Sequence, residues 1–393
     1  MQGQPLTRDV FVQPPDEMLE EGKIWKLKKT CYGLYDASRS WYFAVKEQIE
    51  KLGMKTLSGD SSFFYLLKEG KLLGLCILHV DDFLIGGTSN FFELIECNLL
   101  NKFTFGKVQC NKFKYTGINI EQKEDGEIYI DQNEYIQSLQ PIKIDKPADK
   151  NEKLSRRMFK QYRALTGQLT WAAEMTRPDL CFDARELSTR NKEATYNDVK
   201  KANKILKKAQ QERVEIKFSR LGKLDDLRII AFTDSSYRND SEKVKSIGGR
   251  YIGLANKENL VSPITWKSKT IQQVCKSVKT AETRSLERGL EDGIYLSRMM
   301  KEIYTGKVSE LQIPFEANID SKTLHDSLQS TKQVDEKTIR HLIAWIKEQM
   351  EEEKVKAINW VASEDMIADI FTKANVKSNQ ILDVVREGHL HKH

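Results

Sequence analysis

Leu227-Arg228-Ile229-Ile230-Ala231-Phe232-Thr233-Asp234 is an apolar run of strand length that ends on a carboxylate, and the reading of the fold starts there. Two further strands follow, RYIGLAN (250–256) and NLVSPITW (259–266). Thr280 to Ile303 is then helical, with Leu286, Leu290 and Ile294 four apart on one side. A strand runs from about Ile313 to Asp320. Ile339, Leu342, Ile343, Ile346 and Met350 mark the apolar stripe of a helix, VKAINWV (355–361) is the last strand, and a closing helix starts at Asp365. Four acids stand at matching points of this pattern. Asp234 ends the first strand, Glu282 lies near the start of the following helix, Asp320 ends the fourth strand and Asp369 sits on the closing helix. Singly, each would pass for a surface residue or a helix cap. As a set at element boundaries on one side of a mixed sheet, they would repel one another unless cations held them. The economical reading is a two-metal site for phosphodiester hydrolysis, with Mg²⁺ (or Mn²⁺) as hard ions suited to oxygen ligands. One ion would activate the attacking water and the other would stabilise the leaving 3′ oxygen.

Upstream of that strand the chain is basic. Between Lys200 and Lys223 there are nine Lys or Arg against two Glu. Lys200, Lys201, Lys204, Lys207 and Lys208 form the densest part, on a segment whose pattern is helical from Leu154 to about Gln211 with an interruption at Arg177-Pro178-Asp179. The run reads either as a solvated helix face or as a surface that tracks phosphates. Further back, Ile142 to Glu152 is polar and proline-bearing, a linker signal. Lys112 to Glu121 and Glu127 to Asp131 flank Asp125-Gly126, a hairpin signal. Lys71 to Val80 is an apolar strand, Asp81-Asp82 a turn, and Phe83 to Ile85 the return strand. These breaks suggest three regions, 1–145, 146–224 and 225–393.

Length and composition bound these readings. The 393 residues are too many for one core. A hydrophobic fraction of 39% with 31% charged residues excludes a disordered chain. The net charge of +6 permits a nucleic-acid partner without requiring one. The six cysteines are scattered, without zinc-knuckle or redox spacing, which favours free thiols in a reducing compartment. The polar start, MQGQPLTRDVFVQPP, lacks the core of a signal peptide, and the longest apolar run, Leu72 to Val80, is too short to span a bilayer. An intracellular location, cytoplasmic or nuclear, is expected, with no membrane partner.

The motifs resemble a known family. Thr233-Asp234-Ser235-Ser236-Tyr237, Trp266-Lys267-Ser268-Lys269, Ala281-Glu282-Thr283-Arg284-Ser285-Leu286, Asn318-Ile319-Asp320 and Ile367-Ala368-Asp369-Ile370-Phe371-Thr372-Lys373 are similar to the boxes of the RNase H domain in copia-type LTR retrotransposon Pol proteins. The stretch from Leu27 through Cys31, Tyr32, Gly33 and Leu34 to Ala37, Arg39, Trp41 and Tyr42 resembles a box of that family's reverse transcriptase. His79-Val80-Asp81-Asp82 resembles its Y-V-D-D turn. Tyr115-Thr116-Gly117, Tyr162 to Gly167 and Thr176-Arg177-Pro178-Asp179 resemble segments of its palm, thumb and connection. The resemblance covers nearly the whole chain. It implies an α/β (α+β) architecture of a truncated reverse-transcriptase palm, a helical thumb/connection region and an RNase H-like mixed sheet with helices.

By this resemblance Asp234, Glu282, Asp320 and Asp369 are metal ligands, and Asp81 and Asp82 are the remnant of a polymerase centre. The activity implied is hydrolysis of RNA in RNA–DNA hybrids. Several positions depart from the pattern. Ser38 stands for Pro, His79 for Tyr and Thr280 for a second Glu, and no third polymerase Asp of the usual motif occurs before Trp25. A catalytic set lacking one member loses orders of magnitude in rate, so RNA-directed DNA synthesis is expected to be lost in this chain alone, with the palm truncated at its N-terminus. The alternative is a degenerate or domesticated element that grips nucleic acid without cutting it. The histidines of Gly388-His389-Leu390-His391-Lys392-His393 read as a solvated tail.

Overall fold

The computed structural model describes residues 5–390 except 7, 19, 21, 32, 145–148, 238–244, 308–312, 333–335, 375, 377 and 378. Tyr32 of the upstream box and His391 and His393 of the tail therefore lie outside the described residues. The chain divides into two compact units, one of residues 1–109 with Met299–Ser309 and one of Cys110–Arg298 with Glu310–His393.

In the first unit, β1 (Phe11–Val12) pairs antiparallel with β2 (Trp25–Lys26). After α1 (Ala37–Lys51) comes a four-stranded antiparallel meander of β3 (Lys55–Leu57), β4 (Asp60–Lys68), β5 (Lys71–His79) and β6 (Asp82–Gly87), followed by α2 (Ser89–Ile95). Helix α1 buries Trp41, Val45 and Ile49, four apart, against Phe64, Cys76 and Leu78 of the sheet. Gly74 is obligatory on β5, because a Cβ there would lie 2.1 Å from the ring of Phe91 on α2. The β5–β6 hairpin corrects the sequence reading of its turn. His79 pairs with Asp82, so the turn is Val80-Asp81 and Asp82 already opens the return strand. Val80 takes φ 57°, a left-handed conformation costly for a β-branched residue.

The second unit begins with β7 (Lys112–Tyr115), β8 (Ile118–Gln122) and β9 (Ile128–Asp131). Lys112 to Glu121 is thus two strands rather than one. Thr116 and Gly117, with φ 48° and 83°, supply the tight turn that splits it. Helices α3 (Asn133–Ser138), α4 (Arg156–Met175), α5 (Cys181–Thr189) and α6 (Tyr196–Gln211) follow, and β10 (Ile216–Phe218) returns to pair with β9. The break between α4 and α5 is a buried ion pair. The Arg177 guanidinium donates to both carboxylate oxygens of Asp179 at 2.8 Å and to the carbonyls of Ala209 and Glu212 at 2.9 and 3.2 Å, which ties the end of α6.

The rest of this unit is a five-stranded mixed sheet. It comprises β11 (Arg228–Ser236), β12 (Ile247–Ala255), β13 (Val261–Thr270), β14 (Phe315–Ile319) and β15 (Ala357–Trp360), in the spatial order β13-β12-β11-β14-β15. The first three are antiparallel neighbours, and β14 and β15 join in parallel. Helix α7 (Val278–Thr305) packs on one face. Its glycines permit this, since a Cβ on Gly289 would meet Thr233 at 2.4 Å and one on Gly293 would meet the Phe315 ring at 2.2 Å. Between β14 and β15 there are two α-helices, α8 (Lys322–Gln329) and α9 (Arg340–Glu351), where the sequence marks one apolar stripe. The closing helix also differs. Ile367–Phe371 is a separate 3-10 helix, and the last α-helix, α10, is Asn379–Glu387. Asp369 therefore lies on the 3-10 turn, because Met366 leaves helical geometry at ψ 85° and interrupts the run from Asp365.

Candidate carboxylate site

Strand register brings the first two acids level. Phe232 of β11 faces Asn318 of β14 in parallel, so two residues further on Asp234 and Asp320 are neighbours on the same face. The 3-10 helix supplies the third. It packs against β12 at Gly249, the partner of Asp234, where a Cβ would lie 2.6 Å from Thr372 and 2.8 Å from Phe371. The Ser268 hydroxyl holds this helix by donating to the Phe371 carbonyl. As a result, Asp234, Asp320 and Asp369 each place a carboxylate oxygen within 4.8 Å of the others.

Glu282 is not one of those three, but it adjoins them. It is buried on α7 and accepts a hydrogen bond from Ser235, the neighbour of Asp234, at 2.9 Å. Ser285, one turn on, donates to the Asp234 carbonyl at 2.7 Å and so fixes α7 against β11. Burial, first of all, raises the Glu282 carboxyl to about 8, with Asp234 adding repulsion. Burial likewise raises Asp234 to about 7, while Lys373 and the Thr372 hydroxyl pull the other way.

Lys373 and Thr372 belong to the signature quoted above, but the sequence assigns them no role. The Thr372 hydroxyl donates to an Asp234 oxygen. The Lys373 ammonium lies 2.7 Å from Asp369 and 3.6 Å from Asp234. The available signal is the spacing: Lys373 is four residues after Asp369, so one helical turn brings the two together. Asp320 is held by Ser363, whose hydroxyl donates to its carboxylate at 3.1 Å, and by the Trp360 indole, which donates to its carbonyl at 2.9 Å. The donor set is all hard oxygen, and an ammonium already lies between two of the acids, so the residues fit one or more divalent ions.

The other expected residues lie elsewhere. Asp81 and Asp82 are exposed at the β5–β6 hairpin of the first unit, where the Trp41 indole donates to the Val80 carbonyl at 2.8 Å. That contact joins the two motifs that resemble a reverse transcriptase. Lys200, Lys201, Lys204 and Lys207 are exposed on α6 and Lys208 is half-buried, opposite the buried Val199, Ala202, Leu206 and Ala209. Lys201 and Lys208 lie 3.8 and 4.0 Å from Asp198 and Asp179. Among the described residues no helix is long and apolar enough to cross a membrane.

The five-stranded mixed sheet carries the carboxylate cluster, and the hairpin with Asp81 and Asp82 lies earlier in the chain. Residues 3–147 match the family described as reverse transcriptase (RNA-dependent DNA polymerase). The chain is also similar to retrovirus-related Pol polyproteins of transposons. It is 25% identical over 319 residues to the retrovirus-related Pol polyprotein from transposon RE1 of Arabidopsis thaliana, covering 76% of this chain and 21% of that protein. It is 23% identical to the putative transposon Ty5-1 protein of Saccharomyces cerevisiae, covering 68% of this chain and 90% of that one. The chain thus spans about a fifth of the length of the RE1 polyprotein. Among solved structures it is similar to LC11-RNase H1 in complex with RNA/DNA hybrid, at 20% identity and a TM-score of 0.29 over 37% of this chain and 94% of that one.

Proposed function

We propose that the second unit hydrolyses the RNA strand of RNA–DNA hybrids, with Asp234, Asp320 and Asp369 as ligands to divalent ions, Mg²⁺ or Mn²⁺, and Glu282 completing the set. The observation that carries this reading is the approach of three carboxylate oxygens to within 4.8 Å of one another from three separate elements. When bound, a pair of ions supplies a nucleophile at neutral pH and charge stabilisation at the leaving oxygen. The chain's own groups do the positioning. Thr372 orients Asp234, Ser235 orients Glu282, Ser363 orients Asp320, and Lys373 neutralises Asp369. The lysines of α6 would hold phosphates of the duplex, through the backbone rather than the bases. Asp81 and Asp82 would be two carboxylates of a polymerase-type centre. The regions 1–145, 146–224 and 225–393 would then correspond to palm, thumb/connection and RNase H-like parts.

The test is cleavage of an end-labelled RNA–DNA hybrid by the purified chain in Mg²⁺ or Mn²⁺. Asp234→Asn should reduce the rate by roughly a thousandfold or more while leaving the melting temperature measured near pH 5 in EDTA, where Asp234 is protonated, close to wild type. Absence of cleavage at every metal concentration, with hybrid binding retained, would leave only the binding role.

A further inference from the structure

The carboxylate site already holds one cation of its own, the Lys373 ammonium. It lies 2.7 Å from Asp369 Oδ1 and 3.6 Å from Asp234 Oδ2. Among the described residues it is the one cation that forms an ion pair with any of Asp234, Glu282, Asp320 and Asp369. The backbone sets this placement. The Thr372 and Lys373 N–H groups both donate to the Asp369 carbonyl at 3.0 Å. The turn that follows the 3-10 helix thereby aims the Thr372 hydroxyl and the Lys373 ammonium at the same Asp234 oxygen.

Arg177 shows what a permanent pair is like in this fold. Its guanidinium is 1% exposed and meets both oxygens of Asp179 at 2.8 Å. The Lys373 side chain is 41% exposed and reaches Asp369 through a single hydrogen bond. It ends a flexible stem, its head is strongly hydrated, and a half-exposed pair of this kind is weak. The ammonium can therefore swing out into water at small cost, as Arg177 cannot.

A single ammonium also falls short of the charge that the site needs. Four carboxyl groups meet there, and once they ionise one positive charge leaves them net negative. A divalent ion bridging Asp369 and Asp234 would bring twice the charge, and it would need the space that the ammonium fills. Two cations beside the buried Asp234 repel strongly, so each excludes the other. We propose that Lys373 is a tethered placeholder, which occupies the position of a divalent ion between Asp369 and Asp234 in the metal-free chain and leaves it when an ion binds. This role rests on the ion-binding reading above and gives that site a threshold. An ammonium that fills the position about nine-tenths of the time lowers the apparent affinity for the ion about tenfold.

The test uses the full chain, Mn²⁺ as the ion and no nucleic acid. Mn²⁺ binding near pH 8, where the ligands have lost their protons, is followed by calorimetry and by the electron paramagnetic resonance of the free ion. Lys373→Gln should bind Mn²⁺ roughly tenfold more tightly than wild type. Lys373→Arg keeps the charge and should stay within about threefold of wild type. Lys322→Gln controls for lost charge alone. Lys322 is exposed two residues after Asp320, and its loss should change the affinity by less than about twofold, since solvent and salt screen it. Departure of the ammonium is read by acetylating the lysines in EDTA and in saturating Mn²⁺, then comparing Lys373 by mass spectrometry. Its modification should rise when the ion is bound. Three results would overturn the proposal and leave the ion site standing: unchanged or weaker Mn²⁺ binding in Lys373→Gln, equal tightening in Lys322→Gln, or Lys373 modification that the ion does not alter. Absence of Mn²⁺ binding in wild type and in every variant would overturn the ion site as well.

Discussion

Asp234 carries opposing demands. It is buried, it faces two other carboxylates, and Lys373 and the Thr372 hydroxyl are the groups that compensate it. Burial holds its proton up to about pH 7, and burial with the added repulsion of Asp234 holds that of Glu282 up to about 8. The sign of the consequence for stability follows by linkage. In the unfolded chain both carboxyls release their protons near their ordinary values of about 4. Between about pH 4 and pH 7 to 8 the folded state therefore binds more protons than the unfolded state, and stability falls as pH rises through that window. A divalent ion bound there would reverse this, because it would replace the protons with a stronger positive charge and bind best once they are lost. The melting temperature measured in EDTA should thus decline by several degrees from about pH 5 to pH 8, and millimolar Mg²⁺ should restore it at pH 8 far more than at pH 5. A metal effect equal at the two pH values would contradict the assignment of these two groups.

At the scale of elements, the site depends on how closely the 3-10 helix Ile367–Phe371 approaches β12. Gly249 sets that distance, since any Cβ there would collide with Thr372, Phe371 and the Ala368 carbonyl at 2.6 to 3.0 Å. Gly249→Ala should cost about 1–3 kcal/mol by overpacking and move Asp369 away from Asp234. Cleavage of the hybrid should fall at least tenfold, roughly, with a weaker dependence on metal concentration, while far-ultraviolet circular dichroism stays unchanged. The same elements show what the sequence discloses. The neighbourhoods of Asp234, Glu282 and Asp320 are legible because apolar runs lead up to acids and a helix begins near one, which are local signals. The strand ends are not: β11 runs on to Ser236 and β14 stops at Ile319, one residue before Asp320. The 3-10 character of the Asp369 turn is not legible, because it depends on Met366 leaving helical geometry, which residue periodicity does not encode. The break at Arg177-Pro178-Asp179 is legible as an interruption, but its role as a clamp is not. The carbonyls that Arg177 holds belong to Ala209 and Glu212, more than thirty residues away, and a guanidinium buried to 1% exposure looks on paper like any surface arginine. The basic face of α6 is half legible. Its lysines are visible, but the chain gives no local sign of whether phosphates or water meet them.

At the scale of the whole molecule, the two units have separate cores. One is centred on Phe64, Cys76 and Phe91. The other runs from Leu165 and Leu206 through Tyr251 and Trp266 to Phe371 and Val385. The four carboxylates all belong to the second unit, so a divalent ion held by them would stabilise that unit by mass action. Phe64, fully buried in the meander, offers the converse perturbation. Truncating it removes a large apolar side chain at a cost of about 3–5 kcal/mol, confined to the first core. Calorimetry of the full chain should therefore show two transitions rather than one, as expected where cooperativity follows separate cores. Mg²⁺ at pH 8 should raise one of them, and Phe64→Ala should lower the other by roughly ten degrees or more. The metal-sensitive transition should be lost from the metal response in Asp234→Asn and unaffected in position by Phe64→Ala. A single transition that both perturbations move together would mean that the two cores unfold as one, and that the palm-like part supports the carboxylate site energetically as well as standing beside it in the chain.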